Sequence, residues 1–179
     1  GMLKRKRPGF HTTRISRIIE QISDELSLNL RGFTVLTEAA TGPFASTAVM
    51  AARAGADEVV ALARDSQFGS AEDAFEATGR LAEELGVTRS MRFVTALSSD
   101  VVGAADIVTN CRHLRPLDHE VVGWMHPRAV IPLMYEGWEH RHGDVDRAVC
   151  DVLKIPLAGT NARDPRLAVF AVVGPAALH

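Results

Sequence analysis

Apolar residues along the chain follow two alternating rhythms. From Thr13 to Leu26, Ile15, Ile18, Ile19, Ile22 and Leu26 recur at the spacing that lines one face of a helix, and Thr12 or Thr13 can supply its N-cap. Asn29-Leu30-Arg31-Gly32 interrupts that pattern. Phe33 to Thr37 then reads as a β-rich run entering a turn around Gly42, Ser46 to Ala54 as a helix of small residues stopped by Gly55, and Glu58 to Ala63 as a buried strand. Strand, turn, helix and strand in this order make a βαβ unit. Ser70 with Asp73 has the form of a capping box, opening a helix whose Ala74, Phe75, Leu81, Ala82 and Leu85 share a face and which stops at Gly86. Short strands are expected at Arg92 to Ala96 and Asp106 to Thr109, a helical piece at Glu120 to Met125, and a fifth strand at Ala129 to Met134. Pro132 lacks the ladder N–H, which predicts that this strand ends near it or lies at an edge. Asp144 is expected to cap a last helix through Val145, Ala148, Val149, Val152 and Leu153, with apolar pieces following at Ile155 to Ala158 and Leu167 to Val173.

Strands alternating with helices predict an α/β fold with a doubly wound, mainly parallel sheet, a Rossmann-like three-layer sandwich. With 179 residues, 46% of them hydrophobic, the chain can bury one core without disulfide or metal staples. The expected organisation is a basic, disordered terminus over 1–12, with Gly1 ahead of Met2 as a processing scar, and a single nucleotide-binding domain over 13–179 that includes the first helix. The 20 basic and 22 acidic residues nearly cancel, which argues against nucleic acid or an anionic membrane as partner and for a small molecule or nucleotide. Cys111 and Cys150 have no CxxC spacing and suit a reducing cytoplasm. No apolar run approaches the roughly 18 residues of a membrane span.

In such sheets the ligand lies beyond the carboxyl ends of the strands, and the first βα turn faces phosphate. Here that turn is Ala40-Thr41-Gly42-Pro43-Phe44-Ala45. Of the three glycines that let backbone approach a diphosphate, only the middle one, Gly42, is present; Ala45 is an accepted variant at the third place and Ala40 stands at the first. After the second strand comes Ala63-Arg64-Asp65-Ser66. Arg64 and Ser66 suit the 2′-phosphate of NADP, while Asp65 keeps the ribose contact of NAD open, so the expected cofactor is NADP or NAD with NADP slightly favoured.

Three stretches together carry a family resemblance: ATGPFA after the first strand, ADIVTN from Ala105 to Asn110, and HEVVGWMHPRAVI from His119 to Ile131. They resemble the NAD(P)-binding half of the D-2-hydroxyacid dehydrogenases, in which a GxGPxG loop is followed by an "ADIV" strand, a short helix and a "MKPGAVLIN" strand. The phosphate loop with an arginine after strand two is also similar to the NADP-binding domain of methylene-tetrahydromethanopterin dehydrogenases. The resemblance spans roughly Gly32 to Ile131 and implies a dehydrogenase-like oxidoreductase. Where those hydroxyacid dehydrogenases place a catalytic arginine, in an N-x-x-R-G stretch, this chain has Pro132-Leu133-Met134-Tyr135-Glu136-Gly137. That departure leaves three arrangements: a cofactor-binding unit acting with a partner, a homo-oligomer that builds its site between protomers, or a relative without activity.

The densest run of chemical groups is Tyr135 to His142, where Glu136, Glu139 and His140 can serve as acid or base and Tyr135 or Trp138 can stack on a ring. Asn110 ends the fourth strand and suits a ribose or carboxamide, with Cys111, His113 and Arg115 continuing the loop and His113 a third acid–base candidate. Thr160-Asn161 is placed at another strand end. A metal site can be drawn from Cys111, His113, His140 and His142, but the spacing matches no zinc pattern, and none is expected. Two other classes stay open. VLTEAATGPFA can be aligned with the acidic, glycine-rich motif of S-adenosylmethionine-dependent methyltransferases, with Leu167 to Val173 as their antiparallel last strand, and a non-catalytic nucleotide-binding subunit can associate through the Thr13 to Leu26 helix.

Overall fold

The computed structural model describes residues 12–67, 69–136, 141 and 143–160. Four parallel strands, β1 (Thr34–Glu38), β2 (Glu58–Leu62), β3 (Met91–Val94) and β4 (Ile107–Val108), lie in the order β3-β2-β1-β4. A second ladder joins β5 (Ile131–Glu136) to β6 (Leu157–Thr160), also parallel. The bridge Ile107–Val130 connects the two, closed by Val130 N–H to Asp106 O at 2.9 Å and Val108 N–H to Val130 O at 3.0 Å. The resulting order, 3-2-1-4-5-6, reverses direction between β1 and β4, which is where doubly wound folds bind ligand.

Strand alternation divides the core in two. Val35, Val59 and Ala61 face the helices α2 (Ser46–Arg53) and α3 (Ala71–Glu84), whereas Leu36, Val60 and Leu62 face α4 (Ser99–Gly103), α5 (His119–Trp124) and α6 (Arg147–Leu153). Helix α1 (Thr12–Glu25) packs its Ile19 against α2 and α3 through Val49, Leu81 and Ala82, leaving Ile18 and Leu26 exposed. The three-layer sandwich expected from the sequence is present. Gly55 ends α2 with φ +92°, and the Ser70 hydroxyl caps α3 by accepting the Asp73 N–H. Among the described residues no helix is long and apolar enough to cross a membrane.

Several expectations need correction. Thr12 and Thr13 lie inside α1 and do not cap it. The helix α4 carries no obvious periodicity; Ser98 caps it by accepting the Val101 N–H. Asp146, not Asp144, caps α6, accepting from Val149 N–H at 3.1 Å. Asp144 instead pairs with Arg115 at 3.1 Å. Pro132 does not end its strand, since β5 runs on to Glu136, but the strand is laddered on one side only, to β6, and is an edge on the other, as expected. Along β5 the N–H groups alternate between neighbours: Val130 donates to β4 and Ile131 to the β6 side, at Pro156 O. The missing donor of Pro132 therefore falls on the β4 side, where β4 has already ended at Val108. The Leu167 to Val173 run and residues 1–11 lie outside the described residues.

Candidate functional site

The carboxyl ends of β1, β2, β4 and β5 surround a cleft of about 390 Å³ at the reversal of the sheet. One wall comes from the βα turn after β1. It is not an open loop: Gly42–Ala45 forms a turn of 3-10 helix that runs directly into α2, with Gly42 at φ +63° and Pro43 in its first turn. The first N–H groups of such a turn have no acceptor within the helix, and Pro43 removes one of them. A Cβ on Gly42 would meet nothing within 4 Å, so the glycine serves the backbone angle and leaves open space in front of the turn. Ala40, Thr41 and Phe44 line the cleft, whereas Ala45 is buried in the packing of α1 and α3; Phe44 is exposed.

A residue that sequence reasoning did not single out fixes this turn. Thr78 of α3, fully buried, accepts the Ala40 N–H and donates its hydroxyl to Ala40 O, both at 3.1 Å. The bracket ties the exit of β1 to the third helix. Glu38, the last residue of β1, is a second such residue. It is buried, lines the cleft and accepts the His113 N–H at 3.2 Å. Arg112 and Arg141 also line the cleft without having been candidates for binding.

On the β2 side, Ser66 lines the cleft, while Arg64 and Ser66 are both exposed. Asp65, the residue that kept an NAD-type ribose contact open, accepts the Ala71 N–H at 2.8 Å and so secures the start of α3. His113 reaches from the loop after β4 to this side: its Nδ1 accepts the Arg64 N–H at 3.2 Å. That bond requires an unprotonated Nδ1. Between Glu38 and Arg64, His113 thus clamps the β2 exit to the β4 exit over the top of β1. Replacing His113 by phenylalanine is expected to speed hydrogen exchange of the Arg64 amide by about tenfold, the equivalent of one ordinary hydrogen bond. Unchanged exchange in that variant would show that the clamp carries no weight.

On the β4 side, Asn110 is 1% exposed and its Oδ1 accepts the Met134 N–H at 2.6 Å. The side chain takes the place of the next rung that the short β4 cannot provide. Its Nδ2 is buried and has no hydrogen-bond partner among the described residues. Cys111 follows, with the Thr109 hydroxyl 3.2 Å from its sulfur and 2.9 Å from Thr37 Oγ1. Burial, reinforced by the nearby Glu38 carboxylate, pushes the Cys111 thiol up; burial, then Asp146 and Asp151, does the same for Cys150. Both thiols stay protonated at neutral pH, which argues against Cys111 as an activated nucleophile.

The sign of the resulting pH dependence follows from proton counting. An acid whose folded pKa is raised keeps its proton in the native state after the unfolded chain has lost it. Unfolding then releases protons, and stability falls as pH rises from about 8.5, the usual cysteine value, toward the higher folded value. The urea midpoint is therefore expected to drop between about pH 8 and pH 10, and to drop less in a Cys111→Ala/Cys150→Ala variant. Equal slopes for the two proteins would contradict this.

The run after β5 is only partly visible. Tyr135 is buried, with the Arg141 guanidinium 4.7 Å from its ring centroid, so at least one face of the ring is already covered. The backbone of Glu136 ends β5, but its side chain, and Trp138, Glu139, His140 and His142, lie outside the described residues. So does Asn161. The structure thus brings together Ala40, Thr41, Phe44, Ser66, Asn110 and His113 around one cleft, with Gly42 shaping the turn.

No protein-family model and no curated protein matches the sequence. Among solved structures, a dipicolinate synthase subunit from Bacillus halodurans is similar over 93% of this chain and 54% of its own, with 15% identity and a TM-score of 0.57. Quinate dehydrogenase from Corynebacterium glutamicum, in complex with NAD, matches 83% of this chain and 51% of its own at 14% identity, TM-score 0.54. Shikimate 5-dehydrogenase from Listeria monocytogenes, in complex with shikimate and NAD, matches 79% and 50% at 10% identity, TM-score 0.53. The chain spans about half the length of each of these proteins. At these identities the shared property is the fold, and it is the one that the phosphate turn and the ADIV strand imply. Nothing among the neighbours or in the strand order favours the methyltransferase alternative, since β6 lies parallel and directly beside β5. The chain is a Rossmann-type α/β domain, built like that of the NAD-dependent dehydrogenases.

Proposed function

We propose that this domain binds a nicotinamide dinucleotide across the carboxyl ends of β1, β2 and β4, as the cofactor-binding unit of a dehydrogenase-like oxidoreductase. The observation that carries the proposal is the coincidence of three features: the reversal of strand order, the cleft, and a helix-opening turn with Gly42 at φ +63° beside it. Two neighbours in the fold hold NAD. The diphosphate belongs at the Gly42 turn, and Asn110 is placed for a ribose hydroxyl or the carboxamide. NADP is the favoured form, because Arg64 and Ser66 are exposed at the β2 exit while Asp65 is engaged by Ala71. His113, with Glu136 and His140 on the run after β5, are the acid–base candidates. The two protonated thiols suit a reducing cytoplasm, and α1, with Ile18 and Leu26 exposed, suits contact with a second copy.

Titration with NADPH, NADH and S-adenosylmethionine tests the reading. Gly42→Asp is the informative variant: Asp tolerates the left-handed angle and its Cβ meets no neighbour, so the fold survives, but its charge opposes the diphosphate. Dinucleotide affinity is expected to fall by about tenfold or more in Gly42→Asp and far less in the uncharged Gly42→Asn. Arg64→Ala is expected to weaken NADPH selectively over NADH. Binding of adenosylmethionine alone, or equal affinities for the two Gly42 variants, would refute the proposal.

A further inference from the structure

Resting on the reading that α1 meets a second copy, we propose that the outward face of α1 pairs antiparallel with the same face of that copy, basic end on acidic end, across a two-fold axis near Glu20. Helix α1 turns Ile19 and Ser23 into the domain, and its outward half presents Arg14, Arg17, Ile18, Gln21, Asp24 and Glu25, all exposed. The order of these six along the helix is not mixed. Arg14 and Arg17 stand in the first half, Asp24 and Glu25 in the last turn, and Ile18 and Gln21 between them. Beside this stripe runs an apolar edge in which Ile15 and Ile22 are half-buried and Ile18 and Leu26 exposed.

An isolated helix favours the opposite arrangement, acids at its start and cations at its end, because of its macrodipole. Helix α1 has no acid in its first turn and no base in its last. Among the described residues, none of Arg14, Arg17, Asp24 and Glu25 forms an ion pair; Glu25 accepts from the Gln21 amide at 2.7 Å. A second copy laid antiparallel supplies what is missing at both ends. Its acids come to lie beside Arg14 and Arg17, its arginines beside Asp24 and Glu25, and each helix start lies beside the other's end. The same register sets Ile18 against Ile22 and Ile15 against Leu26, since the members of each pair stand at about equal distances from the axis. A parallel pairing would instead put arginine on arginine and acid on acid, which is repulsive. A face that complements itself in this way fits a second copy of the chain through an isologous contact. One helix of 14 residues offers a small interface, so a dissociation constant of about 1–100 μM is expected.

The test is sedimentation of the full chain from about 1 μM to about 300 μM at low salt, with NADPH titrated in the same buffer. A concentration-dependent dimer is expected. Arg14→Glu/Arg17→Glu and Asp24→Arg/Glu25→Arg alter exposed positions only, and circular dichroism checks that the fold is kept. Each double variant is expected to raise the dimer dissociation constant by about tenfold or more. Combining all four changes restores opposite charges across an antiparallel pair and is expected to return the constant to within about threefold of the parent. A parent that stays monomeric throughout overturns the proposal, as does a dimer indifferent to both double variants. A fourfold variant as weak as the doubles excludes the antiparallel pairing and overturns it too. The cofactor reading is scored separately: a dimer that binds no dinucleotide leaves the helix pairing standing, and a monomer that binds NADPH sinks the pairing alone.

Discussion

Replacing Thr78 by valine is expected to lower folding stability by about 2–4 kcal/mol and to abolish dinucleotide binding. Valine has nearly the shape of threonine, so no cavity opens, and the whole effect must come from the hydroxyl. That hydroxyl serves both polar groups of one peptide residue, the N–H and the C=O of Ala40, in a place without solvent. A buried donor and a buried acceptor left unpaired cost about 1–3 kcal/mol each. The effect on binding follows from position: Ala40 is the last residue before Thr41 and the Gly42 turn, so loosening it lets the first βα turn shift relative to β1. Thr78→Ser keeps the hydroxyl, removes one methyl group and should cost about 1 kcal/mol with binding retained. Urea denaturation and NADPH titration of both variants decide the matter. A Thr78→Val protein as stable as the parent would mean that the bracket does not hold the turn.

The sequence showed the βαβ order and the parallel sheet because burial leaves a local signature. Each central strand must serve two cores, so Val35 and Leu36, or Val59 and Val60, are both apolar though they face opposite layers. Gly55 and the Ser70 cap are equally local, and both were readable. What failed was whatever depends on partners distant in the chain. Asp144 and Asp146 are chemically equal as caps, and Arg115, 29 residues away from Asp144, settles which is used. Pro132 left open whether the strand ends or forms an edge, because the sequence cannot say which neighbour its missing N–H would have faced; the end of β4 at Val108 makes the loss harmless.

The same reasoning applies to the site. Gly42, Ser66, Asn110 and His113 were legible because strand ends in an alternating α/β pattern converge on one edge. Glu38 was visible only as an acid in an alternative motif, and Thr78 is an ordinary helical threonine until its distance from Ala40, 38 residues earlier in the chain, is known. Arg112 and Arg141 gave no signal of their own, since a loop arginine is usually a solvated cation.

The Asn110→Leu variant separates fold from function. Leucine removes the acceptor of the Met134 N–H, which destabilises, but it also removes the orphan Nδ2, which stabilises. One unsatisfied group is exchanged for another, so stability is expected to change by less than about 1 kcal/mol, against the 1–3 kcal/mol typical of breaking one partner of a satisfied buried bond. Ligand affinity has no such compensation: the donor that is placed for a ribose hydroxyl or the carboxamide is gone, so binding of the dinucleotide in the cleft should fall by about tenfold. Thermal melts and NADPH titrations of the one variant supply both readouts. Large destabilisation with unchanged affinity would assign Asn110 to the β4–β5 junction alone.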